Sequence, residues 1–232
     1  MTKTVLITGS SRGIGLALAE RFHADGWNVI GSARSPATAD KLKALNLYKV
    51  VQLDTTDEAS VQSAAKELEG EAIDVLINNA GMSHMQQDFD TLTKDALLEH
   101  YLVNAVGPFF VSRAFTQQLK AAVAKNGSAK LIQISTALAS VALNDGGVGY
   151  PAYRASKAAL NMLHSSITHQ LKGDKIICVA MCPGYVATEL TGYAPYTIQP
   201  SESASAISKV IEGLSADDKG KFFNNQGEVL PW

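Results

Sequence analysis

The sequence predicts an α/β fold: a doubly wound, mostly parallel seven-stranded sheet with helices on both faces. Short runs of β-branched and other apolar residues alternate with helical patterns along the whole chain. Several runs are almost continuously apolar, as expected of parallel strands that are covered on both faces. Right-handed crossovers between such strands place helices on both sides of the sheet. With 232 residues and no linker or repeat, the chain is expected to form a single domain over residues 1–232.

The elements follow one another in a regular order. The predicted strands are the apolar runs Thr4–Thr8, Asn28–Ala33, Lys49–Leu53, Val75–Asn78, Leu131–Ser135 and Ile176–Cys182, with a weaker seventh at Phe222–Phe223. The predicted helices lie between them, near Gly13–Ala24, Pro36–Leu45, Asp57–Glu69, Thr93–Lys125, Tyr153–Leu171 and Ser201–Leu214. The first helix is supported by Ile14, Leu18 and Phe22, which fall on one face.

Composition and charge exclude several classes of function. The net charge of −2 gives no electrostatic reason to expect binding to nucleic acid or to an anionic membrane. The first apolar run, Val5-Leu6-Ile7, is too short for a signal peptide, and no run reaches the roughly 20 residues that span a bilayer. We therefore expect a cytoplasmic protein. Cys178 and Cys182 lie about 13 Å apart on one side of a predicted strand, too far to pair, and no zinc-like spacing predicts a metal site.

The first crossover carries a glycine-rich turn, Thr8–Gly15, which reads Thr-Gly-Ser-Ser-Arg-Gly-Ile-Gly. It follows the first strand directly and opens the first helix. Glycines at this point let the backbone turn sharply and approach a pyrophosphate, whose charge is favoured at a helix N-terminus. The spacing is Gly-x-x-x-Gly-x-Gly rather than Gly-x-Gly-x-x-Gly. The turn therefore predicts a dinucleotide site.

The end of the second strand indicates which dinucleotide is bound. NAD sites usually hold an acidic residue here for the ribose hydroxyls, but this chain reads Ala33-Arg34. Arg34, with Arg12 of the glycine-rich turn, offers two guanidinium groups to a 2′-phosphate. The alternative is that both are ordinary surface arginines. Asp54 and Asn78-Asn79-Ala80-Gly81 follow the third and fourth strands, at the edge where open α/β sheets bind ligands.

A tyrosine and a lysine, Tyr153 and Lys157, stand four residues apart at the start of a predicted helix and so share one face. A free phenol has a pKa near 10, too high for ready proton exchange at neutral pH. A neighbouring ammonium is expected to lower the pKa of Tyr153 and make it a general acid or base. Such pairs also occur on solvated helix faces, so the rest of the chain decides between the two interpretations.

These motifs occur in the order and spacing of the short-chain dehydrogenase/reductase family, which the chain resembles along its whole length. Its short length, the stretch Tyr153–Asn161 and the terminal Gly227–Trp232 are similar to sniffer-like and C-factor-like carbonyl reductases. The resemblance implies a Rossmann-type sheet and NADP(H) as cofactor. It implies that Tyr153 donates a proton to a carbonyl, that Lys157 binds the nicotinamide ribose, and that Asn104 holds a water for proton resupply.

The resemblance also assigns the remaining site residues. Asp54 would bind adenine, Asn78 would bind the adenosine ribose, and the segment after the sixth strand would shape the nicotinamide pocket. The predicted cofactor site comprises Gly9, Ser11, Arg12, Gly13, Ile14, Gly15, Arg34, Asp54, Asn78, Ala80, Gly81, Tyr153, Lys157, Pro183, Gly184, Val186 and Thr188. The predicted catalytic residues are Asn104, Thr136, Tyr153 and Lys157.

One position departs from the family pattern. The substrate-binding serine is the second hydroxyl residue after the fifth strand, and this chain has Thr136 there; Ser135 or Ser140 could serve instead. The stretch Glu189–Gln199, rich in aromatic residues and proline, shows no helical or strand period. It is expected to be a mobile lid over the substrate.

The sequence therefore predicts an NADP(H)-dependent oxidoreductase that reduces a ketone or aldehyde. An alcohol dehydrogenase working in the oxidative direction is the alternative within the class, and a dinucleotide-binding sensor is the alternative outside it. The expected partners are a small carbonyl or alcohol substrate and a second copy of the chain, as a homodimer or homotetramer.

Overall fold

The structure, a computed structural model, describes residues 2–84, 88–146 and 149–232, and its seven strands form one sheet. The strands are β1 (Thr4–Ile7), β2 (Asn28–Ala33), β3 (Lys49–Gln52), β4 (Val75–Asn78), β5 (Ala129–Ile134), β6 (Ile176–Met181) and β7 (Phe222–Phe223). Their order is β3-β2-β1-β4-β5-β6-β7, and every neighbouring pair is parallel. The predicted fold class is confirmed.

Helices cover both faces of the sheet. The α-helices are α1 (Gly13–Ala24), α2 (Asp40–Lys43), α3 (Glu58–Glu67), α4 (Lys94–Tyr101), α5 (Gly107–Ala114), α6 (Thr116–Asn126), α7 (Pro151–Gln170) and α8 (Pro200–Gly213). Short 3-10 helices span Pro36–Thr38, Ala137–Ala139, Glu189–Thr191 and Ala216–Asp218, and Leu102–Val106 forms a π-helix. One apolar core packs α1, α2 and α8 against the sheet, and a second packs α3, α5, α6 and α7 against its other face.

Two predicted helices are divided in the structure. The long helix expected over Thr93–Lys125 becomes α4, the π-helix, α5 and α6, with Phe115 in a non-helical conformation between α5 and α6. Pro108 lies in the first turn of α5, where a missing backbone N–H costs little. The helix expected over Pro36–Leu45 is interrupted at Ala39, which has φ −88° and ψ 58°.

All carboxyl ends of the strands meet at one edge because the sheet is parallel. The strand order runs outward in opposite directions from β1 and β4, and the edge between them is where open α/β sheets bind ligands. The glycine-rich turn follows β1, and the Asn-Asn-Ala-Gly turn follows β4. The fold therefore brings the two turns together at this edge.

The structure also bears on disulfides, membrane spans and metal sites. Cys178 and Cys182 are both free and buried. Across residues 2–84, 88–146 and 149–232, no helix is long and apolar enough to cross a membrane. The same residues contain no group of three or more side chains placed to hold a metal ion.

Candidate active site

The glycine-rich turn has a backbone that only glycine fits. Gly9 and Gly13 have φ of +65° and +55°, in the left-handed region. A Cβ on Gly15 would lie 2.3 Å from the Gly9 carbonyl oxygen and 2.5 Å from Asn79 Nδ2. Ser11 and Ile14 lie partly exposed on the same turn. The turn thus presents bare backbone at the N-terminus of α1, as a pyrophosphate site requires.

Hydrogen bonds join this turn to the turn after β4. Thr8 Oγ1 accepts from the backbone N–H groups of Asn79 and Ala80, both at 3.0 Å. Asn79 Nδ2 donates to the carbonyl oxygens of Thr8 at 2.9 Å and Gly9 at 3.1 Å. We call these bonds the Thr8–Asn79 hub. The sequence analysis named Asn79 only within the Asn-Asn-Ala-Gly turn, because its contact with the glycine-rich turn depends on the pairing of β4 with β1.

The Asn78 side chain forms hydrogen bonds inside the protein. Asn78 is buried, and its Nδ2 donates to Ser112 Oγ at 2.9 Å and to the Pro108 carbonyl at 3.3 Å, both on α5. Successive side chains of a strand point to opposite faces, and Asn78 is the last residue of β4. The side chain therefore faces α5, and a contact of Asn78 with an adenosine ribose stays a prediction.

Asn104 links the turn after β4 to α7. Its Oδ1 accepts from the Met82 N–H at 2.9 Å, and its Nδ2 donates to the Met82 carbonyl and to Ser156 Oγ at 2.8 and 3.0 Å. A methyl-sized atom on Gly81 would lie 3.2 Å from Asn104 Oδ1 and 3.5 Å from Lys157 Nζ. Asn104 and Lys157 therefore border the same small space beside Gly81, where a water could touch both.

Lys157 lies inside the protein and not on a solvated helix face. It is 4% exposed, and its Nζ donates to the Ile134 carbonyl oxygen, the last of β5, at 2.8 Å. Burial disfavours the ammonium and lowers the pKa of Lys157 to about 8. A hydrogen bond from α7 to β5 thus holds the amine at the edge of the sheet, and part of its charge is lost near neutral pH.

The pKa of Tyr153 shifts in the direction opposite to the prediction. Burial of the phenol is the largest cause, and the nearby Cys182 thiol adds to it; both raise the pKa above its ordinary value near 10. Tyr153 keeps some exposed surface, yet desolvation of the phenolate outweighs any attraction to Lys157. In this structure the Tyr153 hydroxyl therefore holds its proton, as a proton donor must.

The three candidate hydroxyls after β5 differ in what they contact. Ser135 is 1% exposed, and its Oγ donates to Asn161 Oδ1 on α7 at 2.7 Å. Ser140 is also buried, and its Oγ accepts from the Leu143 N–H at 3.1 Å. Thr136 is partly exposed, and its Oγ1 accepts from the Leu138 N–H at 3.3 Å, which leaves its hydrogen available for donation. Of these three residues, Thr136 is the one that is partly exposed.

The segment after β6 lies beside the glycine-rich turn. Gly184 has φ +87°, and a Cβ there would lie 3.1 Å from Ile198 Cδ1, so a side chain would be both strained and crowded. Val186 forms an isolated parallel bridge with Ile198. Thr188 directs its methyl group to 3.4 Å from the position of a Cβ on Gly13. The buried residues Pro183, Val186 and Thr188 thus belong to a segment that lies beside the glycine-rich turn.

Two of the residues expected at the adenosine end lie close together, and a third pairs with another segment. Arg34 and Asp54 line a common open cleft with Gln52. Asp54 Oδ1 accepts from the backbone N–H and the hydroxyl of Thr56, at 2.9 and 2.7 Å, and so stabilises the turn before α3. Arg12 is also exposed, but it forms an ion pair with Glu189 at 3.1 Å. The structure therefore leaves Arg34 open at this end and engages Arg12 elsewhere.

The predicted lid, Glu189–Gln199, has more local structure than expected. Its first three residues form a 3-10 helix, and the Ile198 N–H donates to the Tyr185 carbonyl oxygen at 2.9 Å. Tyr193 and Tyr196 adopt left-handed conformations and are exposed. The expectation of a segment without regular structure is thus wrong at its start, while its closure over a substrate stays a prediction.

This fold and this set of residues define an oxidoreductase of one family. The family model for short chain dehydrogenase matches residues 3–197, and the chain belongs to that family. An oxidoreductase of Schizosaccharomyces pombe is 32% identical over an alignment that covers 98% of this chain and 96% of that protein.

Two solved structures show the likeness in three dimensions. The NADPH-bound carbonyl reductase from chicken fatty liver is 32% identical, with a TM-score of 0.91 over 100% of this chain and 99% of its own. The carbonyl reductase Sniffer of Drosophila melanogaster is 28% identical, with a TM-score of 0.92 over the whole of both chains. The predicted resemblance to the family and to its sniffer-like reductases is confirmed.

Proposed function

We propose that the protein is an NADP(H)-dependent oxidoreductase that reduces a ketone or aldehyde, with Tyr153 as the proton donor. The observation that carries the proposal is the placement of Lys157 and Asn104 around Gly81, with Tyr153 one helical turn before Lys157. These groups lie at the carboxyl edge of β4 and β5. Such an edge is where an open α/β sheet positions a ligand.

The residues at the edge fit a dinucleotide. The glycine-rich turn offers backbone that a side chain would obstruct, and Arg34 is open where a 2′-phosphate would lie. NADPH, the ligand of the chicken liver reductase, would supply a hydride to the carbonyl carbon when bound. The absence of an acidic residue at Ala33 and the charge of Arg34 support NADPH over NADH.

Each catalytic side chain would have a separate task. Thr136 would donate a hydrogen bond to the substrate carbonyl oxygen and orient it toward Tyr153. Tyr153 would give its proton to that oxygen as negative charge develops on it, because the phenol is protonated at neutral pH. Lys157, with a pKa of about 8, can exchange a proton near neutral pH, and the space beside Gly81 would admit a water for resupply.

The reductive direction is proposed because two of the similar solved structures are carbonyl reductases, one of them bound to NADPH. A dinucleotide-binding sensor needs neither Tyr153 nor Lys157, and both are present. We also propose that the chain forms a homodimer or homotetramer; the exposed apolar side chains of Leu98, Tyr101 and Leu102 support this, and light scattering tests it.

A panel of ketones and aldehydes, assayed by the loss of NADPH absorbance, tests the proposed reaction. We expect turnover with NADPH above that with NADH. Tyr153→Phe should abolish turnover and leave NADPH binding within about twofold, because it removes only a hydroxyl. NADPH binding without turnover on any carbonyl would favour the sensor, and full activity of the Tyr153→Phe variant would refute the proposed proton donor.

A further inference from the structure

Glu189 is an acidic residue inside the predicted cofactor cleft to which the proposed mechanism gives no task. Its Oε2 lies 3.1 Å from Arg12 Nη1, and both side chains are well exposed, at 59% and 69%. Arg12 belongs to the glycine-rich turn, whereas Glu189 begins the 3-10 helix that follows Thr188. The ion pair therefore joins the glycine-rich turn to the segment after β6.

Local contacts hold the two segments that carry Arg12 and Glu189 close to each other. Thr191 Oγ1 accepts from the Thr188 N–H at 3.1 Å and donates to the Val186 carbonyl at 2.7 Å, which holds the turn that carries Glu189. Thr188 in turn lies against Gly13, the neighbour of Arg12. The carboxylate is thus placed beside the guanidinium by two ordered segments.

We infer that Glu189 competes with the 2′-phosphate of the cofactor for Arg12, and so limits the preference for NADPH over NADH. The inference rests on the proposed function, since it assumes that the cleft binds a dinucleotide. A phosphate monoester carries about two negative charges and three acceptor oxygens, and pairs with arginine in a bidentate manner. An exposed carboxylate holds arginine only weakly, so the phosphate displaces it.

The competition acts on one cofactor and not on the other. NADPH must break the ion pair of Arg12 and Glu189 before its 2′-phosphate can bind Arg12. The loss of this ion pair weakens the binding of NADPH. NADH has no 2′-phosphate and leaves the pair intact. Arg34 loses no ion pair when it binds the phosphate, because within residues 2–84, 88–146 and 149–232 it has no ion-pair partner.

Glu189→Gln tests the inference, since it removes the charge and keeps the size of the side chain. The dissociation constants of NADPH and NADH are measured by fluorescence titration. We expect NADPH to bind two- to fivefold more tightly, the range of an exposed ion pair, and NADH to be unchanged. In an Arg12→Ala background the same substitution should have no effect. Glu58→Gln is the matched control, because Glu58 forms an exposed ion pair with Arg113 at 2.6 Å away from this cleft.

Other outcomes of the titration overturn the inference. Equal weakening of both cofactors would mean that the pair closes over the bound dinucleotide. Selective weakening of NADPH would mean that Glu189 orients Arg12 toward the phosphate, and no change would mean that the pair does not affect binding. If the unaltered protein binds neither dinucleotide, the proposed function itself fails, which is a separate result.

Discussion

Two adjacent substitutions, Ser135→Ala and Thr136→Val, should affect different properties of the protein. Ser135→Ala removes the 2.7 Å hydrogen bond to Asn161 and leaves the Asn161 Oδ1 atom buried without that donor. An unpaired buried acceptor costs about 1–3 kcal/mol of unfolding free energy. In a chain of this size, that corresponds to a fall in Tm of roughly 2–12 °C. Turnover of the folded variant should change little.

Thr136→Val should have the opposite profile. The substitution keeps the branched shape and loses a partly exposed bond of 3.3 Å to the Leu138 N–H, worth about 0.5–1 kcal/mol, so Tm falls by less than about 4 °C. If the hydroxyl binds the substrate oxygen, its loss reduces kcat by about 10²–10³. Thermal unfolding and the rate of NADPH consumption, measured on the same samples, check both values. A large loss of kcat in Ser135→Ala with near-normal kcat in Thr136→Val would refute the assignment of these two hydroxyls.

Three further predictions concern the cofactor, a buried histidine and the lid. Arg34→Ala should weaken NADPH binding by about tenfold or more and NADH binding by less than about twofold; equal losses would contradict the phosphate assignment. Burial lowers the pKa of His164 to about 4, below its value of about 6.5 in the unfolded chain. As the pH falls, the unfolded chain takes up the proton first. The free energy of unfolding therefore falls between pH 6.5 and 4, by up to about 3 kcal/mol. Urea midpoints across this range should therefore fall less in His164→Leu, and an unchanged slope would contradict the cause. Hydrogen exchange in Glu189–Gln199 should slow on saturation with NADP and a substrate analogue, and unchanged exchange would indicate an ordinary surface loop.

The sequence was sufficient to predict the strands because their apolar runs reflect burial on both faces. Asn28–Ala33 and Val75–Asn78 have the predicted bounds, and even the two-residue strand at Phe222–Phe223 is present. The division of Thr93–Lys125 was not predictable in this way. The π-helix inserts i→i+5 hydrogen bonds in an otherwise helical stretch, and its Asn104 contacts Met82 and Ser156, which belong to other segments.

The sequence nominates the candidate site residues, but it does not predict their pKa values or their contacts with distant segments. Glycine spacing and the Tyr153–Lys157 interval are local features that the sequence displays. The pKa of Tyr153 depends on how deeply the fold buries the ring and on the thiol of Cys182, which the fold brings near it from the end of β6. Similarly, the Arg12 side chain is engaged by Glu189, which is remote in sequence, so its partner could be found only in three dimensions.

The Thr8–Asn79 hub makes the two sides of the cleft mechanically unequal. The glycine-rich turn and the turn after β4 share four hydrogen bonds through the hub. The segment from Val186 to Gln199 contacts the glycine-rich turn through the methyl group of Thr188 and one solvent-exposed ion pair. Separation of the two turns therefore requires the loss of four hydrogen bonds, whereas movement of residues 186–199 away from the glycine-rich turn requires the loss of an apolar contact and an exposed ion pair, which is a weak interaction.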